Sequence, residues 1–397
     1  MKRRNFLQAS ALASTSLMVP SFLQGANHRK LMRSRSGKVL IVVQLSGGND
    51  GLNTVVPYQN DIYYQMRPRL AVQSNQVLRL NDDLGLNPVM ASLRDLYNEG
   101  YLSIVNSVGY PNPDRSHFRS MDIWHTASDS NAYWQTGWLG RYLDNACQGC
   151  ELPYHAIEVD DSLSLAMKGE QRNGFAMSNA KQLQKANRNQ FLQALGQHRH
   201  HHEEENVAYL YKTMVDSQSS AQYLFEKSKV YQSRVAYPNT AFGKNLQQIA
   251  ELITANTDTQ IYYASLGGFD THANQKNQQE RLLKQYADGM KALVTDLKKN
   301  GLFKDTLIMT FSEFGRRVKQ NASSGTDHGT ANNLFLIGEG LRKPGFYNQA
   351  ANLADLDNGD LKYQVDFRNI YATVLQDWLA TPAPAVLGKQ FDTLGLL

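Results

Sequence analysis

The chain has 397 residues, of which 42% are hydrophobic, 19% charged and 10% aromatic, and its formal charge is +5. This composition excludes an intrinsically disordered or collagen-like chain, and two cysteines exclude a disulfide-dense scaffold. No apolar run reaches the roughly 18–20 residues that span a bilayer. Seven of the 41 basic residues lie in residues 1–37, so the remaining 34 bases face 36 acids. The basicity is therefore local and indicates no nucleic-acid partner.

The N-terminal residues have the order of an export signal. The pair Arg3-Arg4 stands before a mildly apolar, Ala/Ser-rich stretch that ends at Gly25-Ala26. This order is typical of a signal that the twin-arginine translocase recognises and that is removed afterwards. The alternative is a basic helix that stays attached. We expect a periplasmic mature protein without a transmembrane segment, and the following division of the chain: twin-arginine signal 1–26, basic linker 27–37 and a single domain 38–397.

Apolar runs and helical patterns alternate along the rest of the chain. Apolar runs predict strands at Val39–Leu45, Leu102–Val108, Gln260–Leu266, Thr306–Phe311 and Asn333–Gly338. Amphipathic patterns predict helices at Pro88–Asn98, Trp138–Ala146, Gln278–Lys299 and Phe367–Leu379, and further helices within 206–256. Strands that alternate with helices predict a three-layer α/β fold with a mostly parallel central sheet and a helical insertion within 110–255.

Two segments of the insertion are open to two interpretations each. Cys147 and Cys150 form either a small loop disulfide or a redox-active dithiol. The tract His198–Glu205 (HRHHHEEE) is either an exposed helix or loop, or a segment that binds transition metals.

Polar motifs follow the predicted strands, where ligands bind in an open parallel sheet. They are Ser46–Gly51, Asp114–Phe118, Gly267–His272 and Ser312–Arg316, with Gly325–Gly329 further on. Each motif alone is also an ordinary capped turn. Together they bring carboxylates and imidazoles to one edge of the sheet, which predicts a site for a divalent metal such as Zn, Mn, Mg or Ca. The candidate ligands are Asp50, Asp270, His272, Glu313, Asp327 and His328.

These motifs resemble those of one known family. The runs KVLIVVQLSGGNDGLNTVVPY, RSHFRSMDIWHTA, GGFDTH, FSEFGRR and GTDHG are similar to the twin-arginine-exported proteins grouped as domain of unknown function 1501. That family is placed near the alkaline phosphatase and sulfatase superfamily. The resemblance implies an alkaline-phosphatase-like fold with one or two metal ions at the carboxyl edge of the sheet. It also implies hydrolysis of phosphate or sulfate esters.

The resemblance implies roles for individual residues. Asp50 matches the first metal-binding Asp of the superfamily, and Asp270 with His272 resembles its Asp and His pair. His328 matches its final His. Ser116 matches its nucleophile, although a serine before a helix also serves as an N-cap.

One superfamily motif is altered in this chain. Where the superfamily has Asp-His-Gly, the chain has Glu313-Phe314-Gly315. Phe314 removes one ligand from the metal site that Asp50 should share. The resemblance therefore implies a single metal ion, or a protein that keeps the fold without the reaction.

Three functions remain open. The first is a metal-dependent ester hydrolase, with Ser116 or a water molecule as nucleophile and with Arg115, Arg119 or Arg316 binding the anionic oxygens. For each arginine the alternative is a surface or carboxylate-paired role. The second is a periplasmic binding or assembly protein with a partner or carbohydrate surface. The third is a metal-free serine esterase that pairs a serine with a histidine, although the chain has no Gly-X-Ser-X-Gly elbow at the candidates. Those candidates are Ser116 or Ser46 with His328 or His272.

Overall fold

Nine strands form the central sheet of the computed structural model, which describes residues 37–146, 153–179 and 220–397. They are β1 Val39–Leu45, β2 Leu102–Gly109, β3 Ala156–Glu158, β4 Phe175–Ala176, β5 Ile261–Leu266, β6 Thr306–Phe311, β7 Asn332–Ile337, β8 Gly345–Phe346 and β9 Val365–Asp366. Their order across the sheet is β8-β2-β7-β6-β1-β5-β3-β4, and β9 pairs with the end of β2. Only β7 is antiparallel to its neighbours among these strands.

Helices cover both faces of this sheet. They are α1 Gly51–Thr54, α2 Asp61–Met66, α3 Ala91–Asn98, α4 His117–Thr126, α5 Trp138–Ala146, α6 Ala241–Thr254, α7 Gln275–Lys299, α8 Phe367–Thr373 and α9 Ala383–Leu387. Helices α3, α6 and α7 pack on one face, whereas α4, α5, α8 and α9 pack on the other. Short turns of 3-10 helix lie at Pro88–Met90, Pro153–His155, Leu165–Met167 and Phe303–Asp305, and α8 continues as a π-helical turn at Val374–Trp378.

Strand β1 explains why the fold has three layers. Its side chains alternate between two cores: Leu40 and Val42 join one, and Ile41 and Val43 join the other. A strand that is apolar on both sides must be covered on both faces, which is the arrangement of a parallel sheet between helices. The three-layer α/β fold expected from the sequence is thus confirmed.

A smaller apolar cluster lies beyond the two main cores. It contains Leu52 of α1, Tyr63 of α2 and Val318. Three short antiparallel strands, Val55–Val56, Leu78–Arg79 and Gly85–Leu86, belong to the same part of the chain, and a separate pair is formed by Leu356–Asp357 and Asp360–Leu361.

The expected elements are confirmed where the structure describes them, and their ends differ by a few residues. The helix expected from Pro88 begins as a 3-10 turn with proline in its first turn, where a missing N–H costs nothing. The predicted signal 1–26, the predicted linker 27–37 except Gly37, the pair Cys147 and Cys150, and the tract His198–Glu205 lie outside the described residues. In the part of the chain that the structure covers, no helix is both long and apolar enough to cross a bilayer.

The strand directions place several loops at one edge of the sheet. Strands β1, β2, β5 and β6 are parallel, so the segments that follow them emerge together at their carboxyl ends. Because β7 runs the other way, the segment before it reaches the same edge. The motifs singled out in the sequence therefore meet there.

Candidate metal centre

Glycines allow the loops after β1 and β5 to approach closely. Gly47 and Gly48 have φ of +115° and +70°, which side-chain-bearing residues rarely adopt. A Cβ atom at Gly47 would collide with the backbone of Phe269 and Asp270. The glycines after β1 thus bring the β5 loop, with its Asp and His, to the middle of the edge.

Three histidines converge on one carboxylate oxygen. The Oδ1 atom of Asp270 lies 3.3 Å from Nε2 of His117, 3.0 Å from Nε2 of His272 and 3.1 Å from Nε2 of His328. The Nε2 atoms of His272 and His328 are themselves 3.0 Å apart. The four side chains come from the start of α4, the loop after β5 and the loop before β7.

The second ring nitrogen of two histidines is held by a fixed acceptor. Nδ1 of His117 lies 2.9 Å from Oε1 of the buried Glu313, and Nδ1 of His328 lies 2.7 Å from the carbonyl oxygen of Arg115. An Nδ1–H that donates to such an acceptor leaves Nε2 with a free lone pair. This carboxylate–histidine and carbonyl–histidine arrangement is the one that orients metal ligands in proteins.

The residues present fit a bound metal ion. Ligand atoms of His117, Asp270 and His328 all lie within 4.8 Å of one another, and Nε2 of His117 is buried without a hydrogen-bond partner. Imidazole nitrogens with one carboxylate suit Zn or Mn better than Mg or Ca, which prefer oxygen. The side chains of Asp270 and His272 are 49% and 46% exposed, so the cluster is open to solvent on one side. Such an open position is typical of catalytic rather than structural metal sites.

The charges around the cluster favour the ionised carboxylate. Partial burial opposes ionisation, but the hydrogen bond from Arg316 and the close contact with His328 hold the pKa of Asp270 well below its usual range. The hydrogen bond with Glu313 outweighs desolvation and raises the pKa of His117. A proton therefore competes with a metal for His117 more effectively than for an isolated imidazole.

Arg316 holds Asp270 and the two glycine turns in place. Its guanidinium is fully buried and contacts Oδ1 of Asp270 at 2.9 Å. The same group donates to the carbonyl oxygens of Gly47, Gly48, Phe269 and Thr326. Because its donors are engaged inside the protein, Arg316 orients the cluster and is not available to a substrate, which differs from the anion-binding role considered for it.

The remaining sequence candidates occupy different positions around the cluster. Glu313 contacts the cluster through Nδ1 of His117. Oδ1 of Asp327 lies 3.6 Å from Nδ1 of His272. Asp50 is buried away from solvent and pairs with Arg67, with 2.6 Å between Oδ2 and Nη1, and it is not among the clustered ligands. Ser116 is exposed at the start of α4, and its side chain makes no capping hydrogen bond.

His117 is a ligand candidate that the sequence motifs do not single out. It belongs to the Asp114–Phe118 motif, in which Ser116 and Arg115 are the predicted functional residues. A histidine at the first position of a helix after a parallel strand was the available signal, since that position faces the carboxyl edge. Phe314, expected to remove a ligand, packs against the rings of His117 and His328, with ring centroids 4.8 and 4.7 Å apart.

Fold and site define an α/β protein with a candidate histidine–aspartate metal centre at the carboxyl edge of its sheet. The chain belongs to the family described as "Protein of unknown function (DUF1501)", whose family model matches residues 37–382. The search of curated protein sequences found no match to the chain.

Several solved structures share a distant likeness with the chain. They include the PsFucS1 sulfatase from Pseudoalteromonas sp., with 12% identity over 93% of this chain and 73% of that chain and a TM-score of 0.42. The C-terminal periplasmic domain of EptC from Escherichia coli, solved in complex with Zn, has 11% identity over 77% and 75% and a TM-score of 0.37. The lipoteichoic acid synthase LtaP from Listeria monocytogenes has 13% identity over 83% and 75% and a TM-score of 0.35.

Proposed function

We propose that this protein is an exported metal-dependent hydrolase of phosphate or sulfate esters. The observation that supports it most is the convergence of His117, His272 and His328 on Asp270, with two of the rings oriented by Glu313 and a backbone carbonyl. These four residues would hold the ion. A divalent metal held there supplies Lewis acidity, which polarises an ester oxygen and makes a nearby water or hydroxyl more acidic.

The chain's own groups suit the binding of an anionic ester beside this cluster. Arg115 and Arg317 both contact the buried carboxylate of Asp360, and their side chains are 43% and 37% exposed. Two guanidinium groups share one acid, so one positive charge remains for a ligand. Guanidinium forks bind phosphate and sulfate oxygens in bidentate fashion. In this proposal Arg115 and Arg317 bind the ester oxygens, while Arg316 only orients Asp270.

Ser116 is the nucleophile in this proposal, with a water molecule as the alternative. Ser116 directly precedes His117 and is exposed, and its hydroxyl does not cap α4. Attack by the Ser116 oxygen on phosphorus or sulfur would release the alcohol of the ester and leave the group on serine, from which water would remove it. The proton of the Ser116 hydroxyl would pass to the departing alcohol, directly or through a water molecule.

The test combines metal content with hydrolysis. Protein prepared without a histidine tag should contain stoichiometric metal by elemental analysis and should hydrolyse aryl phosphates or aryl sulfates. Asp270→Asn or His328→Ala should lower both metal content and activity, whereas Ser116→Ala should abolish hydrolysis and leave the metal in place. A parent protein that retains no divalent metal under any loading condition would rule out this function.

The second candidate is a non-catalytic binding or assembly protein. Its support is the buried Phe314 at an expected ligand position and the pairing of Asp50 with Arg67. It predicts bound metal, or none, with no turnover of any ester. The two candidates are separated by the hydrolysis assay on metal-loaded protein.

Export through the twin-arginine translocase is part of the proposal and is supported by Arg3-Arg4 before the apolar stretch. Changing both arginines to lysine should leave the unprocessed precursor in the cytoplasm. The assay is fractionation followed by immunoblotting, and an unchanged periplasmic yield would contradict export by this route.

A further inference from the structure

Asp50 and Arg67 form an ion pair that is sealed inside the protein. The side chains are 1% and 0% exposed, and Nη1 of Arg67 lies 2.6 Å from Oδ2 of Asp50. Gln275 donates to the same oxygen at 2.5 Å. The other oxygen, Oδ1, is buried without a hydrogen-bond partner. A buried carboxylate at the carboxyl end of β1 thus has a guanidinium, and not the histidine cluster, as its counter-charge.

The guanidinium of Arg67 is held by oxygen atoms on all sides. Its Nε donates to the carbonyl of Val318 at 2.8 Å, and its Nη2 donates to the carbonyl of Arg317 at 2.8 Å. Its Nη1 also lies 3.0 Å from Oδ1 of Asn53. Carboxylate, amide and carbonyl oxygens are the ligands that hard cations such as Mg²⁺ and Ca²⁺ take in proteins. The positive charge of Arg67 therefore sits in an oxygen shell of the kind that could hold a metal.

Phe314 contributes no ligand to either charged group. It is 2% exposed, its ring packs on His117 and His328, and a Cβ atom at Gly48 would collide with it. Its apolar ring lies against the histidine cluster and against the turn that leads to Asp50. The chain thus keeps Asp50 but offers it no imidazole at this position.

We propose that Arg67 replaces a second metal ion, so that Asp50 binds no metal and the oxygen shell around Arg67 is a latent cation site. This inference rests on the proposed function only in assuming that the histidine cluster holds the resident ion. A guanidinium fixed by the fold neutralises Asp50 permanently, and a divalent ion at the same place would meet its repulsion.

The first experiment counts metal equivalents in the matched neutral variant Asp50→Asn/Arg67→Met, which removes both charges together. After saturation with Zn²⁺ or Mn²⁺ and desalting, it should contain as many equivalents per chain as the parent. A loss of one equivalent relative to the parent would overturn the proposal, because it would make Asp50 a ligand.

The second experiment exposes the latent site. Arg67→Ala should bind one more equivalent of Mg²⁺, Ca²⁺ or Mn²⁺ than the parent, and the added ion should raise its melting temperature. Arg67→Lys, which keeps a positive charge, is the control and should gain neither. A folded Arg67→Ala variant that gains no ion would overturn the proposal of a latent site. If that variant does not fold, the variant Asp50→Asn/Arg67→Met still decides whether Asp50 is a ligand. Both outcomes are measured as metal equivalents and not as hydrolysis, so a parent that binds metal but hydrolyses no ester would refute the proposed function alone.

Discussion

Glu313→Gln removes one negative charge behind the histidine cluster and little else. Oε1 of Glu313 accepts from the backbone N–H of Gly47 at 2.8 Å and lies 2.9 Å from Nδ1 of His117. The glutamine amide oxygen can keep both contacts, so we expect the fold to be preserved. What changes is the electron density on the His117 ring, which the carboxylate makes a better metal ligand.

The magnitude follows from the burial of Glu313, whose side chain is 0% exposed. A positive charge at the far nitrogen of the ring would lie about 5 Å from the carboxylate, and at an effective dielectric constant of about 20 their attraction is about 3 kcal/mol. Partners of this kind contribute roughly 10–100-fold in metal affinity, which corresponds to about 1.4–2.8 kcal/mol. We therefore expect a weakening of one to two orders of magnitude.

The assay is a competition titration of Zn²⁺ between the protein and a chromophoric chelator near neutral pH. Glu158→Gln is the matched control: Glu158 is also a buried carboxylate at a strand end of the same sheet, but it accepts from the backbone of Ser164 and is outside the cluster. The control should bind Zn²⁺ as the parent does. A Glu313→Gln variant whose affinity stays within about threefold of the parent would refute the reasoning.

Three further outcomes are expected. Burial raises the pKa of Glu158 to about 7. The folded state therefore holds a proton that the unfolded state releases near pH 4.5. The free energy of unfolding should fall by about 3 kcal/mol as the pH rises between these two values. In thermal melts this loss should disappear in Glu158→Gln, and an unchanged pH profile would contradict it. Metal affinity should increase as the pH rises through the raised pKa of His117, because fewer protons then compete for the ring. Metal titrations at several pH values measure this, and an affinity that does not change with pH would contradict the role of His117 as a ligand. Gly48→Ala should lower the free energy of unfolding by about 1–3 kcal/mol in denaturant titrations because of the positive φ of Gly48, and by more if Phe314 cannot move. Gly267→Ala is the control, since a Cβ atom at Gly267 would meet open space, and it should lower stability far less. Equal losses in the two variants would contradict this prediction.

The fold could be predicted because the apolar pattern of its strands indicates which strands are buried. The run Val39–Leu45 is apolar on both faces, and only a covered parallel strand explains such a run. Element ends were less predictable. The helix expected at Phe367–Leu379 changes to a π-helical turn after Thr373, and no periodicity in the sequence distinguishes the two.

The candidate site could be predicted only in part. Asp270, His272 and His328 follow or precede strands, so topology alone brings them to one edge. The partner of Asp50 could not be found in this way, because Arg67 lies in a polar segment that has no periodic pattern. Its burial depends on the carbonyls of Arg317 and Val318, which are distant in the sequence. Contacts of this kind are decided by tertiary packing and leave no local signal.

The position of β1 in the middle of the sheet has a consequence for how the chain matures. Leu40 pairs with Ile261 on one side and Val39 with Thr306 on the other, so β1 has no neighbour from the described part of the sheet until most of the chain has been synthesised. Pairings so distant in sequence form slowly and leave an apolar strand exposed meanwhile. The candidate ligands come from distant parts of the chain, from His117 to His328. They therefore come together only when the sheet has closed around β1. Binding of a metal ion would then report that the sheet has closed around β1.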